Sequence, residues 1–137
     1  MLNSAARICI GTDIVEIQRI RDAAMRRPGF FDRILTPSEK EYCLRKADAT
    51  VPLAGRFAAK EAVLKCLGTG LSRVSWQDIE ILNNDNGNPQ VYFSGSAKNL
   101  LGDRGIKYLN VSISHSRDYA VAVAVGECVT DEASDRG

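Results

Sequence analysis

The feature that most constrains this chain is the stretch Arg56–Gly70, RFAAKEAVLKCLGTG. Its pattern predicts a helix from about Leu53 to Leu67, and Gly68-Thr69-Gly70 supplies residues able to take the positive backbone angle of a C-terminal stop. Because these glycines follow the helix rather than precede it, they are neither a Walker motif nor a Rossmann turn. Helix capping and close approach of a ligand are the two uses left to them. Arg56, Lys60, Glu61 and Lys65 lie within ten positions of an otherwise apolar helix. Glu61 and Lys65 are four apart and share a face. They are either a surface ion pair worth roughly 0.3–0.5 kcal/mol or a carboxylate and an amine offered to a ligand. Lys60 shares its side of the wheel with Val63, Leu64 and Leu67, so it either snorkels past them or meets an anion at a subunit boundary.

Around this helix the remaining pattern reads as an α+β domain. Arg7–Thr12 alternates as a strand, and a helix follows from Ile14 to about Met25 with Ile17, Ile20 and Ala24 as its apolar stripe. Pro28 and Gly29 stop it, and Phe30, Phe31, Ile34 and Leu35 anchor the connection in the core. Thr36-Pro37-Ser38-Glu39 is a strong helix start, with a capping Thr36, Pro37 in the first turn and Glu39 completing a capping box. That helix ends near Lys46. Asp78–Leu82 and Gln90–Ser94 form a hairpin across NNDNGNP, and Ser96–Leu101 opens a short helix ended near Gly105. Leu109–Ser114 and Tyr119–Val125 are strands joined by a bend at His115–Asp118. The latter has Val121, Val123 and Val125 on one face and Ala122 and Ala124 on the other, as suits a central strand under close-packed helices. The order β-α-α-α-β-β-α-β-β implies an antiparallel sheet packed against helices in one domain, residues 1–126, followed by a polar, disordered tail over 127–137.

With 137 residues and a 45% hydrophobic fraction, the chain can bury one real core. A net charge of +1 argues against a general nucleic-acid binder, and no basic-aromatic pattern supports one. The charge is unevenly spread: residues 1–75 carry 13 Lys/Arg against 8 Asp/Glu, and residues 76–137 carry 5 against 9. A phosphorylated ligand or an acidic macromolecule meets the first half more favourably. Cys9, Cys43, Cys66 and Cys128 show no CxxC spacing and read as buried thiols in a reducing compartment rather than a zinc site. No signal peptide or stretch of about 18 apolar residues is evident, so the expectation is a soluble, cytoplasmic protein without a membrane segment.

Asp13 falls at the expected junction of first strand and first helix. There Asp13-x-x-Glu16 reads as a capping pair, or Asp13 joins Glu61 in holding Mg²⁺. Two carboxylates are few for a divalent ion, so water and phosphate oxygens would complete its shell. His115, the one histidine, sits in SISHS at a strand end, where it is either structural or a phosphate contact. Arg19, Arg21, Arg26 and Arg27 form either a solvated helix face or a docking patch for an acidic partner.

Taken together, IGTDIVEIQRI at 10–20, FFDRILTPSE at 30–39, GRFAAKEAVLKCLGTG at 55–70 and VSISHSRDYAVAVAV at 111–125 resemble the holo-acyl-carrier-protein synthase family, the small 4′-phosphopantetheinyl transferases. The resemblance implies an enzyme that moves phosphopantetheine from coenzyme A to a serine hydroxyl of apo-acyl carrier protein and releases adenosine 3′,5′-bisphosphate. It implies that Asp13 and Glu61 hold Mg²⁺ on the coenzyme A pyrophosphate and that Lys65 meets the same phosphates, these three being the catalytic group. It places Arg56, Lys65, Gly68, Gly70 and His115 around the coenzyme A cleft, and Arg19 with Arg21, Arg26 and Arg27 on the surface that receives the carrier protein. It also implies a homotrimer with active sites at the subunit clefts. One departure stands out: the usual first glycine of the family's G-x-G-x-D pattern is Cys9 here. Two other classes remain: a noncatalytic coenzyme A or nucleotide-binding regulator, and a nucleic-acid-binding module using the basic first half.

Overall fold

A computed structural model describes residues 6–129. Its centre is α4, Thr50–Leu67, which starts three residues earlier than its sequence pattern indicates. Pro52 is tolerated there because a first-turn residue has no intrahelical donor to lose, and Asp48 accepts a 3.0 Å bond from the free Thr50 N–H. Gly68 ends the helix in the left-handed region at φ 74°. Gly70 does not use such an angle, so only one of the two glycines is a conformational stop.

On one side of α4 lies a three-stranded antiparallel sheet in the order β1-β5-β4, formed by β1 (Ala6–Glu16), β5 (Tyr119–Val129) and β4 (Ile106–His115). The expected central strand is β5. Ala120, Ala122 and Ala124 are buried beneath α4, where a small side chain lets helix and strand approach. The opposite face is bare: Ile8, Ile10 and Ile14 of β1, Val125 of β5 and Tyr108 of β4 are all exposed. The hairpin is a separate two-stranded sheet, β2 (Ile79–Asn83) with β3 (Pro89–Phe93), rather than part of the main one. A 3-10 turn at Trp76–Asp78 precedes the hairpin and α5 (Gly95–Asp103) follows it.

On its other side α4 packs against α1 (Ile17–Arg26) and α3 (Pro37–Leu44). Other elements also differ from the sequence reading. β1 continues to Glu16, because its pairing with β5 persists to Glu16–Tyr119. The helix therefore begins at Ile17, whose N–H is satisfied by the Asp118 carbonyl at 2.8 Å, and Asp13–Glu16 is not a capping pair. Phe30–Ile34 forms a short extra helix, α2, where an irregular anchor was expected. β5 also runs through Glu127 and Cys128, past the tail boundary at 126; the remainder of the expected tail, 130–137, lies outside the described residues.

The Thr36–Glu39 capping box forms as read. Glu39 does much more than cap. It is fully buried, accepting from the N–H groups of Thr36 and Ile81 at 2.8 Å each and from Lys60 Nζ at 2.6 Å. Lys60 also donates to the carbonyls of Ile34 and Trp76. Lys60 thus neither snorkels nor faces a subunit boundary; it is a fully enclosed cation that ties α4 to α2, α3 and the Trp76 turn.

Candidate active site

The closest approach in the fold sets the site. A Cβ on Gly11 would stand 2.0 Å from the Ala62 carbonyl oxygen and 2.7 Å from Cys66 N, so β1 can lie this near α4 only with glycine there. Two residues along the same face of β1 is Asp13, and the neighbouring turn of α4 carries Glu61. Main-chain contact at Gly11 therefore brings two carboxylates from distant parts of the chain to one place.

Lys65 completes the group, with a different partner from the one its helix spacing suggests. Its Nζ donates to the Thr12 carbonyl at 2.8 Å and to Asp13 Oδ1 at 3.2 Å, while the side chain stays about half exposed. The i, i+4 pair with Glu61 does not form, because the amine reaches across to the strand. Burial, then the facing Asp13 charge, holds the Glu61 carboxyl above the usual carboxylate range, with Lys65 opposing in part. The pair is thus short of positive charge. It fits a hard cation with oxygen preference such as Mg²⁺. Among the described residues no three His, Cys, Asp or Glu side chains converge on a metal position, so a cation held by this pair would need its further oxygens from water and a ligand.

Asp13 and Glu61 open into a cleft of about 740 Å³. Arg19, Arg26, Arg27 and Arg33 line it, and Ile34, Phe57 and Trp76 form an apolar wall. The Phe57 and Trp76 rings lie 5.2 Å apart at 33°. Arg21 is not with the other arginines: two positions from Arg19 is more than half a turn, and its guanidinium pairs with Asp48 at 2.6 Å. Arg33, Phe57 and Trp76 were missed in the sequence. FFDRIL was legible only as a core anchor, and nothing local says that its arginine shares a cleft with α1.

Arg56, Gly68, Gly70 and His115 do not line this cleft within one chain. Arg56 is buried, its guanidinium 4.2 Å over the Tyr42 ring and bonded to Asn83 Oδ1, with Nε unpartnered. Gly68 is exposed, and a Cβ there would stand 2.8 Å from the Arg104 guanidinium. His115 is exposed at the end of β4, the far edge of the sheet from β1.

The pattern of the 4′-phosphopantetheinyl transferase superfamily matches residues 9–124. A holo-[acyl-carrier-protein] synthase of Caldanaerobacter subterraneus is 48% identical over 118 residues, 86% of this chain and 93% of that protein. The fold is similar to that of a Bacillus anthracis holo-(acyl-carrier-protein) synthase solved in complex with CoA (3′,5′-ADP), with TM-score 0.76 and 38% identity over 90% of this chain and 99% of that one. It is likewise similar to the Helicobacter pylori synthase in complex with coenzyme A, with TM-score 0.75 and 36% identity over 88% and 99%. A match of this extent, together with two carboxylates and a lysine joined across Gly11, makes the chain a member of the 4′-phosphopantetheinyl transferase superfamily.

Proposed function

We propose that this protein transfers the 4′-phosphopantetheine group of coenzyme A to a serine hydroxyl of apo-acyl carrier protein, releasing adenosine 3′,5′-bisphosphate. The observation that carries the reading is the meeting of Asp13, Glu61 and Lys65 at the head of a cleft with an arginine-rich side. Asp13 and Glu61 would hold Mg²⁺, whose charge would polarise the reacting phosphoryl group. Lys65 balances the negative charge that grows on the departing bisphosphate. Glu61, directly or through water, takes the serine proton. The apolar wall of Phe57 and Trp76 excludes water beside the reacting atoms, and Arg19, Arg26, Arg27 and Arg33 draw in an acidic carrier protein.

The bare sheet face of Ile8, Ile10, Ile14 and Val125 supports assembly into a homotrimer, since so many exposed aliphatic side chains on one face favour burial against another copy. Such an assembly lets the exposed Gly68, Gly70 and His115 border a neighbour's cleft and contact coenzyme A there, while Arg56 stays buried against Tyr42 and Asn83. Light scattering checks this: the wild type should be trimeric and Ile10→Asp monomeric, whereas a monomeric wild type contradicts it. Four free cysteines suit the reducing cytoplasm.

The transfer is tested by incubating the protein with coenzyme A, Mg²⁺ and apo-carrier protein and weighing the carrier. The carrier should gain one phosphopantetheine, with bisphosphate released in equal amount. Binding of coenzyme A without any mass gain would instead identify a noncatalytic coenzyme A-binding protein.

A further inference from the structure

Three thiols that the transfer reaction does not use converge where β1, α4 and β5 meet. Cys9 Sγ lies 3.0 Å from Cys66 Sγ, about one ångström beyond a disulfide bond of about 2.05 Å. Opposite Cys9 on β5 is Gly126. A Cβ there would stand 2.6 Å from Cys9 Sγ and 3.3 Å from Cys66 Sγ, so a missing side chain makes room for both sulfurs. Cys128, two residues further along β5, shares the Cys9 face. The pairing depends on the cysteine that this chain carries where the family pattern has glycine.

We propose that Cys9 and Cys66 are a redox dithiol that closes to a disulfide when a hydroperoxide oxidises Cys9. The Cys9 sulfur takes one oxygen of hydrogen peroxide, the O–O bond breaks, and water leaves behind a sulfenic acid. The Cys66 sulfur then displaces the hydroxyl, which departs with the Cys66 proton as a second water. The two thiols are oxidised by two electrons, and the peroxide is reduced.

The order of events follows from access. Cys9 is partly exposed, whereas Cys66 is buried. Burial and the adjoining thiols push the Cys66 thiol up to about 12, so it remains protonated and does not compete for the oxidant. The bond ties β1, which carries Asp13, to the last turn of α4, beside Lys65. It joins positions 57 apart in sequence and so restricts the unfolded chain strongly.

The test treats the reduced full-length protein with hydrogen peroxide and follows its mass, its disulfide map and its Tm. A loss of two hydrogens, a Cys9–Cys66 linked peptide and a Tm raised by roughly 5–10 °C are expected, all reversed by dithiothreitol and absent in Cys9→Ser and Cys66→Ser. Persistence of both thiols as alkylatable groups, oxidation of Cys9 that stops at a sulfinic acid, or a Cys9–Cys128 link would overturn the proposal. The readouts belong to the chain itself, so the result is independent of the transferase reading.

Discussion

Lys60 and Lys65 stand five residues apart on α4, and the same helix puts them to opposite uses. Lys60 is fully buried, with three acceptors in fixed places: Glu39, the Ile34 carbonyl and the Trp76 carbonyl. Lys65 is about half exposed and leans on Asp13 at 3.2 Å beside Glu61. The buried lysine has every bond filled and no path to a ligand. The outer one has a donor to spare and two carboxylates that want more positive charge. A charged residue on an apolar helix therefore signals function only when its partners are incomplete.

This contrast has measurable edges. The largest effect is expected at the outer cluster, where D13A and E61A should each lower Mg²⁺-dependent transfer by about 10²-fold or more while leaving Tm within a few degrees. Near-normal turnover in both variants would sink the site. K60M should do the reverse. It strands the Glu39 carboxylate in the core and should cost about 3–5 kcal/mol of stability, read by urea denaturation, while the protein that remains folded still transfers. The double variant K60M/E39Q should recover part of that loss, because glutamine keeps an acceptor without a buried charge; a further drop would show that the pair is not the brace described.

Smaller effects separate the arginines. R19A should raise the apparent KM for carrier protein about fivefold, on the order of 1 kcal/mol, and weaken its salt dependence. R21A, turned toward Asp48, should change KM much less. If only the coenzyme A KM moved in R19A, the docking side of the cleft would be misassigned. A further effect concerns the core near the brace. Burial raises the Cys43 thiol from 9.0 to about 11. The unfolded chain loses that proton first, so stability should fall as pH rises from about 9 to 11. Equilibrium unfolding of C43A should show a shallower alkaline decline than wild type.

Much of this arrangement was legible in the residues. Alternation along Tyr119–Val125 gave the central strand with its alanine face, and Thr36–Glu39 gave a capping box because both signals are local. The pairing of Lys65 with Asp13, 52 positions apart, was not legible: a helix wheel finds only neighbours on one helix and so offered Glu61. The fate of Lys60 was hidden for the same reason. Its partners come from α2, α3 and the Trp76 turn, and the capping role of Glu39 had seemed a sufficient explanation for that carboxylate. Strand β1 was cut short in the reading because Ile14, Ile17 and Ile20 also fit a helical period, and only the ladder to β5 decides between the two.

The claim that unites these points is that Asp13 and Glu61 together hold the cation that receives the coenzyme A phosphates. Titration calorimetry of coenzyme A with and without Mg²⁺, on wild type and on Glu61→Gln, addresses it most directly. Mg²⁺ should tighten coenzyme A binding to the wild type and have little effect on the glutamine variant at an unchanged Tm. An equal Mg²⁺ effect in both proteins would contradict the account.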